Sequence, residues 1–192
     1  LQVERVRSLT WRVSRTHHRA ITDPLTSLYN YGFFRERLAM ELERAQLTGD
    51  PVALAMFDID HFKHYNDTNG HQEGNRVLQK VAELLRKTGR RGDVVARYGG
   101  EEFVVILPGS DEERSMGAAE RLRNALQKHR FVFEGARIPL TASFGVAIWP
   151  ADGKEPEALL SSSDRALYAA KQTGRNRVVA ASSLPPPATG AS

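Results

Sequence analysis

Two periods of apolar and polar residues alternate along this chain, and the switches between them mark its elements. Phe34, Leu38, Leu42 and Ala45 recur at helical spacing and predict a helix over Tyr31–Leu47. Val77, Leu78, Val81, Leu84 and Leu85 do the same for Glu73–Thr88, and Glu112–His129 and Glu155–Gln172 also read as helices. Between them lie shorter apolar stretches. Pro51 opens a strand over Val52–Phe57; Val94–Tyr98 and Phe103–Leu107 form two more; Pro139–Trp149 contains strand residues, and Arg177–Ala180 a short last strand. Gly99-Gly100 joins the middle two, and a two-residue primed turn with positive φ at both glycines is expected there. One hairpin inside an alternating pattern implies α/β layers around a mixed, mainly antiparallel sheet. No internal repeat is present.

The two ends differ from this middle. Val3, Val6, Thr10, Val13, His17 and Ala20 alternate at spacings of three and four, an a/d seam weakened by its Thr and His. A helix packed on its own domain and a parallel coiled-coil stalk both fit; the arginines that leave the seam open favour the stalk. Ser182–Ser192 holds Pro185-Pro186-Pro187 and small polar residues, the composition of a disordered tail. The expected organisation is a helical coiled-coil stalk over 1–22, a main α/β domain over 23–181 and a disordered tail over 182–192. The chain starts at Leu1 rather than Met, as a fragment of a longer protein would.

The 192 residues suit one domain with appendages. The longest apolar run, Val52 to Phe57, is six residues, far below a membrane span, and no signal-peptide pattern opens the chain. Cysteine is absent, which excludes disulfides, thiol catalysis and Cys-type zinc sites. A cytoplasmic location is expected, with no membrane contact by this segment, although an upstream part of a longer protein could anchor it to a membrane. The net charge of +4 suggests nucleic-acid binding until it is located. Arg5, Arg7, Arg12, Arg15 and Arg19 against Glu4 alone account for it, and the other 170 residues balance at 22 against 22. No nucleic-acid partner is indicated.

Candidate chemistry concentrates in two acidic clusters. Asp58-Ile59-Asp60 ends an apolar strand, and Glu101-Glu102 follows the Gly-Gly turn. Such residues singly are most often solvated; on adjacent strands of one sheet they would converge. Carboxylates without imidazole or thiol partners are hard oxygen ligands that select Mg²⁺ or Mn²⁺, and a two-metal phosphoryl-transfer site is the natural reading. Neither a P-loop nor a dinucleotide-binding glycine pattern occurs. Phosphate would instead meet Lys63, beside the first cluster, and Lys171 with Arg175 near the end of the last helix. Taken alone, that last pair also suits ordinary cations at a helix C-terminus.

At this point a family becomes recognisable. Arg97-Tyr98-Gly99-Gly100-Glu101-Glu102-Phe103 resembles the GGEEF form of the GGDEF signature of diguanylate cyclases. Asp23-Pro24-Leu25-Thr26-Ser27-Leu28-Tyr29-Asn30 resembles that family's opening segment, with Ser27 where glycine is usual. Phe57-Asp58-Ile59-Asp60-His61-Phe62-Lys63, with Asn66-Asp67 and Gly70-His71, is similar to its substrate segment. Ala142-Ser143-Phe144-Gly145-Val146-Ala147 and Asp164 to Lys171, closing on Gly174-Arg175-Asn176, resemble its last blocks. The resemblance runs in unbroken order from Asp23 to Ala180.

It implies a fold like a nucleotidyl cyclase or polymerase palm, a five-stranded sheet flanked by helices. It also implies condensation of two GTP into cyclic di-GMP and two pyrophosphates across a homodimer, below an upstream sensory domain. Residue by residue, Asp58, the Ile59 carbonyl, Glu101 and Glu102 would hold two Mg²⁺ (or Mn²⁺) per half-site, with Glu101 as proton acceptor. Lys63, also expected to be catalytic, Lys171 and Arg175 would neutralise the triphosphate. Phe62 belongs to the substrate segment, and Asn66 matches the guanine-binding asparagine. The bland reading of Asn66 is an Asx-turn within the Asn66–Gly70 loop. Arg90-Arg91-Gly92-Asp93 forms an RxxD pattern with five residues between it and Gly99, the register of an inhibitory cyclic di-GMP site. Arg90 and Asp93 would grip product there, with Arg121 contributed by a second protomer.

One departure concerns specificity. The family usually carries aspartate where this chain has Asn75, and an amide has a single acceptor oxygen for the two guanine donors. A promiscuous cyclase also making cyclic GMP-AMP is therefore an alternative. A non-catalytic receptor for GTP or cyclic di-GMP is another, and a coiled-coil dimerisation module a third; the full set of metal ligands favours an active cyclase.

Overall fold

The computed structural model describes residues 21–185. The seam of residues 1–20 and residues 186–192 of the expected tail lie outside them. In chain order the elements are α1 (Tyr31–Thr48), β1 (Val52–Ile59), α2 (Phe62–Asn69), α3 (His71–Thr88), β2 (Val94–Arg97), β3 (Glu102–Pro108), α4 (Glu112–Lys128), β4 (Phe131–Phe133), β5 (Ala136–Ile138), β6 (Ala142–Trp149), α5 (Pro156–Gln172) and β7 (Val178–Ala180), followed by a 3₁₀ turn at Ala181–Ser183.

Five strands form one sheet in the order β2-β3-β1-β6-β7. Every pair is antiparallel except β6–β7. The mixed, mainly antiparallel α/β sheet expected from the alternating pattern is what forms. Helices cover both faces, so β1 is buried at every position and reads as a continuous apolar run rather than an alternating one. Ala53, Ala55, Phe57 and Ile59 join the core under α3 and α4, while Val52, Leu54 and Met56 join the core under α1 and α5. On the first face Phe57 stacks on Phe103 of β3 and Phe144 of β6, with ring centroids 5.2 and 4.5 Å apart. This slab of aromatic rings spans the three central strands. On the other face α5 presses onto β6. A Cβ at Gly145 would lie 2.1 Å from the Ser163 carbonyl oxygen, so glycine is what permits the contact.

Three expectations need correction. The segment 66–70 is not a free loop: α2 takes in Asn66 to Asn69, and Gly70, at φ 87°, joins it to α3. Neither Gly99 nor Gly100 has positive φ. The connection spans Gly99 to Glu101, with the Tyr98 amide donating to the Glu102 carbonyl at 2.9 Å. A primed-type turn with both central residues at positive φ does occur, but at Glu134 (48°) and Gly135 (79°) between β4 and β5. That hairpin, three residues per strand, is too short to leave a periodic signal.

Candidate functional site

The acidic clusters meet because of strand register. Asp58 stands opposite Glu102 on β3 and Ser143 on β6. It continues the Val52, Leu54, Met56 side of β1, the side that faces α5. From the last turn of α5, Lys171 Nζ reaches Asp58 Oδ2 at 3.0 Å. Burial pushes the Asp58 carboxyl above its usual range; the hydrogen bond and charge of Lys171 oppose this, and Arg175 opposes it more weakly. Burial also raises Glu101 and Glu102, the Asp58 charge adds to it, and Lys171 again counteracts. Asp58, Glu101 and Glu102 thus form one electrostatic unit with cations supplied from the end of α5. Ile59, the last residue of β1 and the next after Asp58, buries its side chain in the core of the opposite face.

Asp60 parts company with Asp58. It is 5% exposed and accepts from Thr141 Oγ1 (2.6 Å), Ser143 Oγ (2.7 Å) and the Asn176 amide (3.1 Å). With both oxygens engaged it is a clamp between chain segments, although the sequence groups it with the metal-type acids.

Around α2 the substrate-segment residues divide. Lys63 is exposed. Phe62 is 3% exposed and its ring stacks with Tyr65 in the core, so any contact it makes with a ligand comes from its backbone. The carboxamide of Asn66 packs against Gly74 of α3, where a Cβ would lie 1.7 Å from its Oδ1. That oxygen is buried without a hydrogen-bond partner. Asn75, the next residue, is exposed.

The Gly99-Gly100 turn is tied down from elsewhere. Arg97 donates to the carbonyls of Gly99 (3.2 Å) and Gly100 (2.7 Å) and pairs with Asp23 at 3.2 Å. Asp23 also accepts from the Thr26 amide and hydroxyl at 2.8 and 2.7 Å. A Cβ at Gly99 would stand 3.3 Å from a Glu102 carboxylate oxygen, so glycine here leaves room for the acid. At the far end of β2 and β3, Arg90 pairs with Asp93 at 2.9 Å and donates to the Pro108 carbonyl and Ser110 Oγ. Arg121 is exposed on α4. Among the described residues the partners of Arg90 are Asp93, Pro108 and Ser110, and Arg121 is not one of them.

Comparison with known proteins gives this arrangement its family. Residues 20–177 match the family model described as Diguanylate cyclase, GGDEF domain. The chain belongs to the GGDEF family. It is 41% identical over 184 residues to Diguanylate cyclase DgcP of Pseudomonas aeruginosa, covering 92% of this chain and 27% of that protein. It is 42% identical over 162 residues to Response regulator PleD of Caulobacter vibrioides, covering 83% and 36%. Among solved structures, the coiled coil and GGDEF domain of DgcB from Caulobacter crescentus in complex with c-di-GMP superimposes with a TM-score of 0.85 at 32% identity, over 93% of this chain and 95% of that one. The active GGEEF domain of a diguanylate cyclase from Vibrio cholerae gives 0.74 at 29% identity, over 79% and 96%. The chain therefore spans well under half of these two curated relatives.

The donor chemistry of the GGDEF site fits a hard divalent cation: three carboxylates, no imidazole, no thiol. Among the described residues no three such side chains are gathered into a ready-made cage, and Asp58 is paired with Lys171 instead. Among the described residues no helix is long and apolar enough to cross a membrane. Sequence reasoning missed Asp23, Arg97 and the clamp role of Asp60. Their partners lie 74 to 116 residues away, where no local pattern reaches.

Proposed function

We propose that this domain condenses two GTP molecules into cyclic di-GMP, each held by one protomer of a homodimer. The observation that carries the reading is the pairing of Asp58 with Glu102 across two strands, with Glu101 of the adjoining turn within reach of the Asp58 charge and Lys171 and Arg175 delivered from the end of α5 and the turn after it. The 3′-hydroxyl of each nucleotide attacks the α-phosphorus of the other. The O3′–Pα bond forms, the bond to the β-phosphate oxygen breaks, and pyrophosphate leaves with the electron pair. We assign the hydroxyl proton to Glu101. Lys63, Lys171 and Arg175 neutralise the triphosphate and the charge growing on pyrophosphate.

Asp58, the Ile59 carbonyl, Glu101 and Glu102 would hold Mg²⁺ or Mn²⁺, two per half-site. Bound there, the metal would polarise the α-phosphate and lower the pKa of the attacking hydroxyl. Asn66 takes the guanine edge with its unpartnered Oδ1, and Asn75 directly follows Gly74, the glycine against which that oxygen packs. Cyclic di-GMP returns to the Arg90–Asp93 pair with Arg121 of the partner subunit and holds the halves apart.

Incubation with GTP and Mg²⁺, with mass-spectrometric identification of the product, tests the reading. Glu101→Gln should lose turnover by orders of magnitude without losing stability, because it removes a charge that burial and Asp58 already disfavour. A wild-type protein that binds GTP and yields no cyclic dinucleotide at any protein concentration would be a receptor instead.

A further inference from the structure

We infer that Asp60 is a positioning residue for Arg175, fixing the turn from which that arginine faces the acidic cluster; the inference rests on the cyclase reading for what Arg175 binds. Between α5 and β7 the chain takes three consecutive residues through positive φ: Gly174 (122°), Arg175 (61°) and Asn176 (46°). Two of them are not glycine, a conformation that persists only where the surroundings over-determine it. The surroundings here do. The Arg175 amide donates to the Ala170 carbonyl at 2.9 Å, which locks the turn to the last turn of α5. The Asn176 amide donates to Asp60 Oδ2 at 3.1 Å, and its side-chain oxygen accepts from Arg123 of α4 at 2.7 Å.

Asp60 makes this turn part of the site. It lies two residues beyond Asp58 on the same chain segment. Its amide bonds the Thr141 carbonyl, and its carboxylate is anchored by the Thr141 and Ser143 hydroxyls at the start of β6. One carboxylate therefore ties three pieces together: the end of β1 that carries Asp58, the entry to β6, and the left-handed turn that carries Arg175. Arg175 is close enough to lower the Asp58 carboxyl by its charge. Without the Asp60 bond the turn would keep its links to α5 and α4 and the Arg177 side chain's bond to the Arg175 carbonyl, but Asn176 would lose its backbone partner and the left-handed run would be free to relax.

Kinetics in a double-mutant cycle test this. Asp60→Ala should lower kcat/KM for GTP by about tenfold or more. The loss should largely vanish in an Arg175→Ala background, where the double variant stays within about threefold of Arg175→Ala alone. Asp60→Asn should stay within about fivefold of wild type. Its oxygen can still accept from Asn176 and Thr141, and its NH₂ can donate to Ser143. Should Asp60→Ala fail to fold, the isosteric Thr141→Val removes one of the two donors that hold that carboxylate oxygen and should give a smaller loss that is again absent without Arg175. Hydrogen exchange supplies a readout that needs no nucleotide: residues 173–177 should exchange faster in Asp60→Ala or Thr141→Val while α1 stays unchanged. Losses that multiply independently of Arg175, a failed Asp60→Asn, exchange rising throughout the chain, or exchange unchanged at 173–177 would each overturn the inference. A wild-type chain that binds GTP but makes no product defeats the cyclase reading alone, and exchange together with affinity for a non-hydrolysable GTP analogue then decides the role of Asp60.

Discussion

Replacing Gly74 with alanine should damage nucleotide recognition while leaving the fold almost untouched. A Cβ at this position would sit 1.7 Å from Asn66 Oδ1, 2.8 Å from its Cγ and 3.2 Å from Phe62 Cζ. An ordinary carbon–oxygen contact is about 3.3 Å, so the oxygen must withdraw by roughly 1.6 Å. That is about three times the displacement of roughly 0.5 Å that a binding constellation tolerates. The group in the way is the far end of a flexible side chain, so the collision costs little folding energy. Alanine in a helix also recovers about 0.5–1 kcal/mol over glycine, which offsets the tight Phe62 contact. The melting temperature should stay within about 4 °C of wild type. Recognition should suffer more. A displaced acceptor costs about 1–3 kcal/mol where its ligand donor is left unpaired, and the middle of that range is more than tenfold in affinity. Steady-state kinetics at saturating Mg²⁺ should show KM for GTP raised by about tenfold or more. An unchanged KM would mean Asn66 does not read the nucleotide, and a melting point lowered by more than about 10 °C would mean the clash falls on the core instead.

Asp23→Asn should destabilise by about 1–3 kcal/mol, measured by denaturant unfolding, because it weakens the links to Thr26 and Arg97. Burial pushes Asp23 up, but the Thr26 hydrogen bonds and the Arg97 charge outweigh it and leave its carboxyl below the usual range. Its contribution is therefore complete above the ordinary carboxylate pKa and is lost as pH falls through the lowered one, so wild type and variant should converge in acid. Arg90→Ala should weaken cyclic di-GMP binding in calorimetry and relieve product inhibition with initial rates unchanged; unaltered inhibition would leave the Arg90–Asp93 pair a structural link. Asn75→Asp should lower KM for GTP and reduce incorporation of ATP in direct competition, and equal preference in both proteins would remove Asn75 from base reading.

What the sequence discloses of this architecture follows the range of the forces involved. The stripe Phe34, Leu38, Leu42, Ala45 is a local pattern, and all four residues are buried on α1. The apolar run of β1 is equally plain. By contrast α2 has eight residues, only Phe62 and Tyr65 of them buried, and its polar Asn-Asp-Thr-Asn composition imitates a loop. The Gly99-Gly100 pair misleads for another reason. Glycine at position 99 keeps space for the Glu102 carboxylate, a demand of packing that looks the same in sequence as a demand of φ. Asp58 and Asp60 cannot be told apart locally either. Only the fold shows that the first meets Lys171 and the second meets Thr141, Ser143 and Asn176.

The same contrast governs how the site bears on stability. Burial raises Asp58, Glu101 and Glu102, and the charges of neighbouring acids add to it, so the folded protein disfavours their ionised forms. Carboxyls whose folded pKa is raised oppose folding increasingly as pH climbs above their ordinary value and fully once it exceeds the raised one, and acidification relieves them. Asp23 behaves in the opposite sense, at the other end of the Arg97 link that holds the Glu101 turn. Mild acidification should therefore ease the strain of the acidic cluster before it loosens the brace behind it. Lys171 limits that strain at neutral pH, and a divalent cation would have to compete with it for Asp58. Lys171→Met should thus act in two directions, weakening the hold on triphosphate while leaving Asp58 buried with less compensation. The aromatic slab of Phe57, Phe103 and Phe144 lies on the opposite face of the same strands. Its burial contributes the stability against which the clustered negative charge is set.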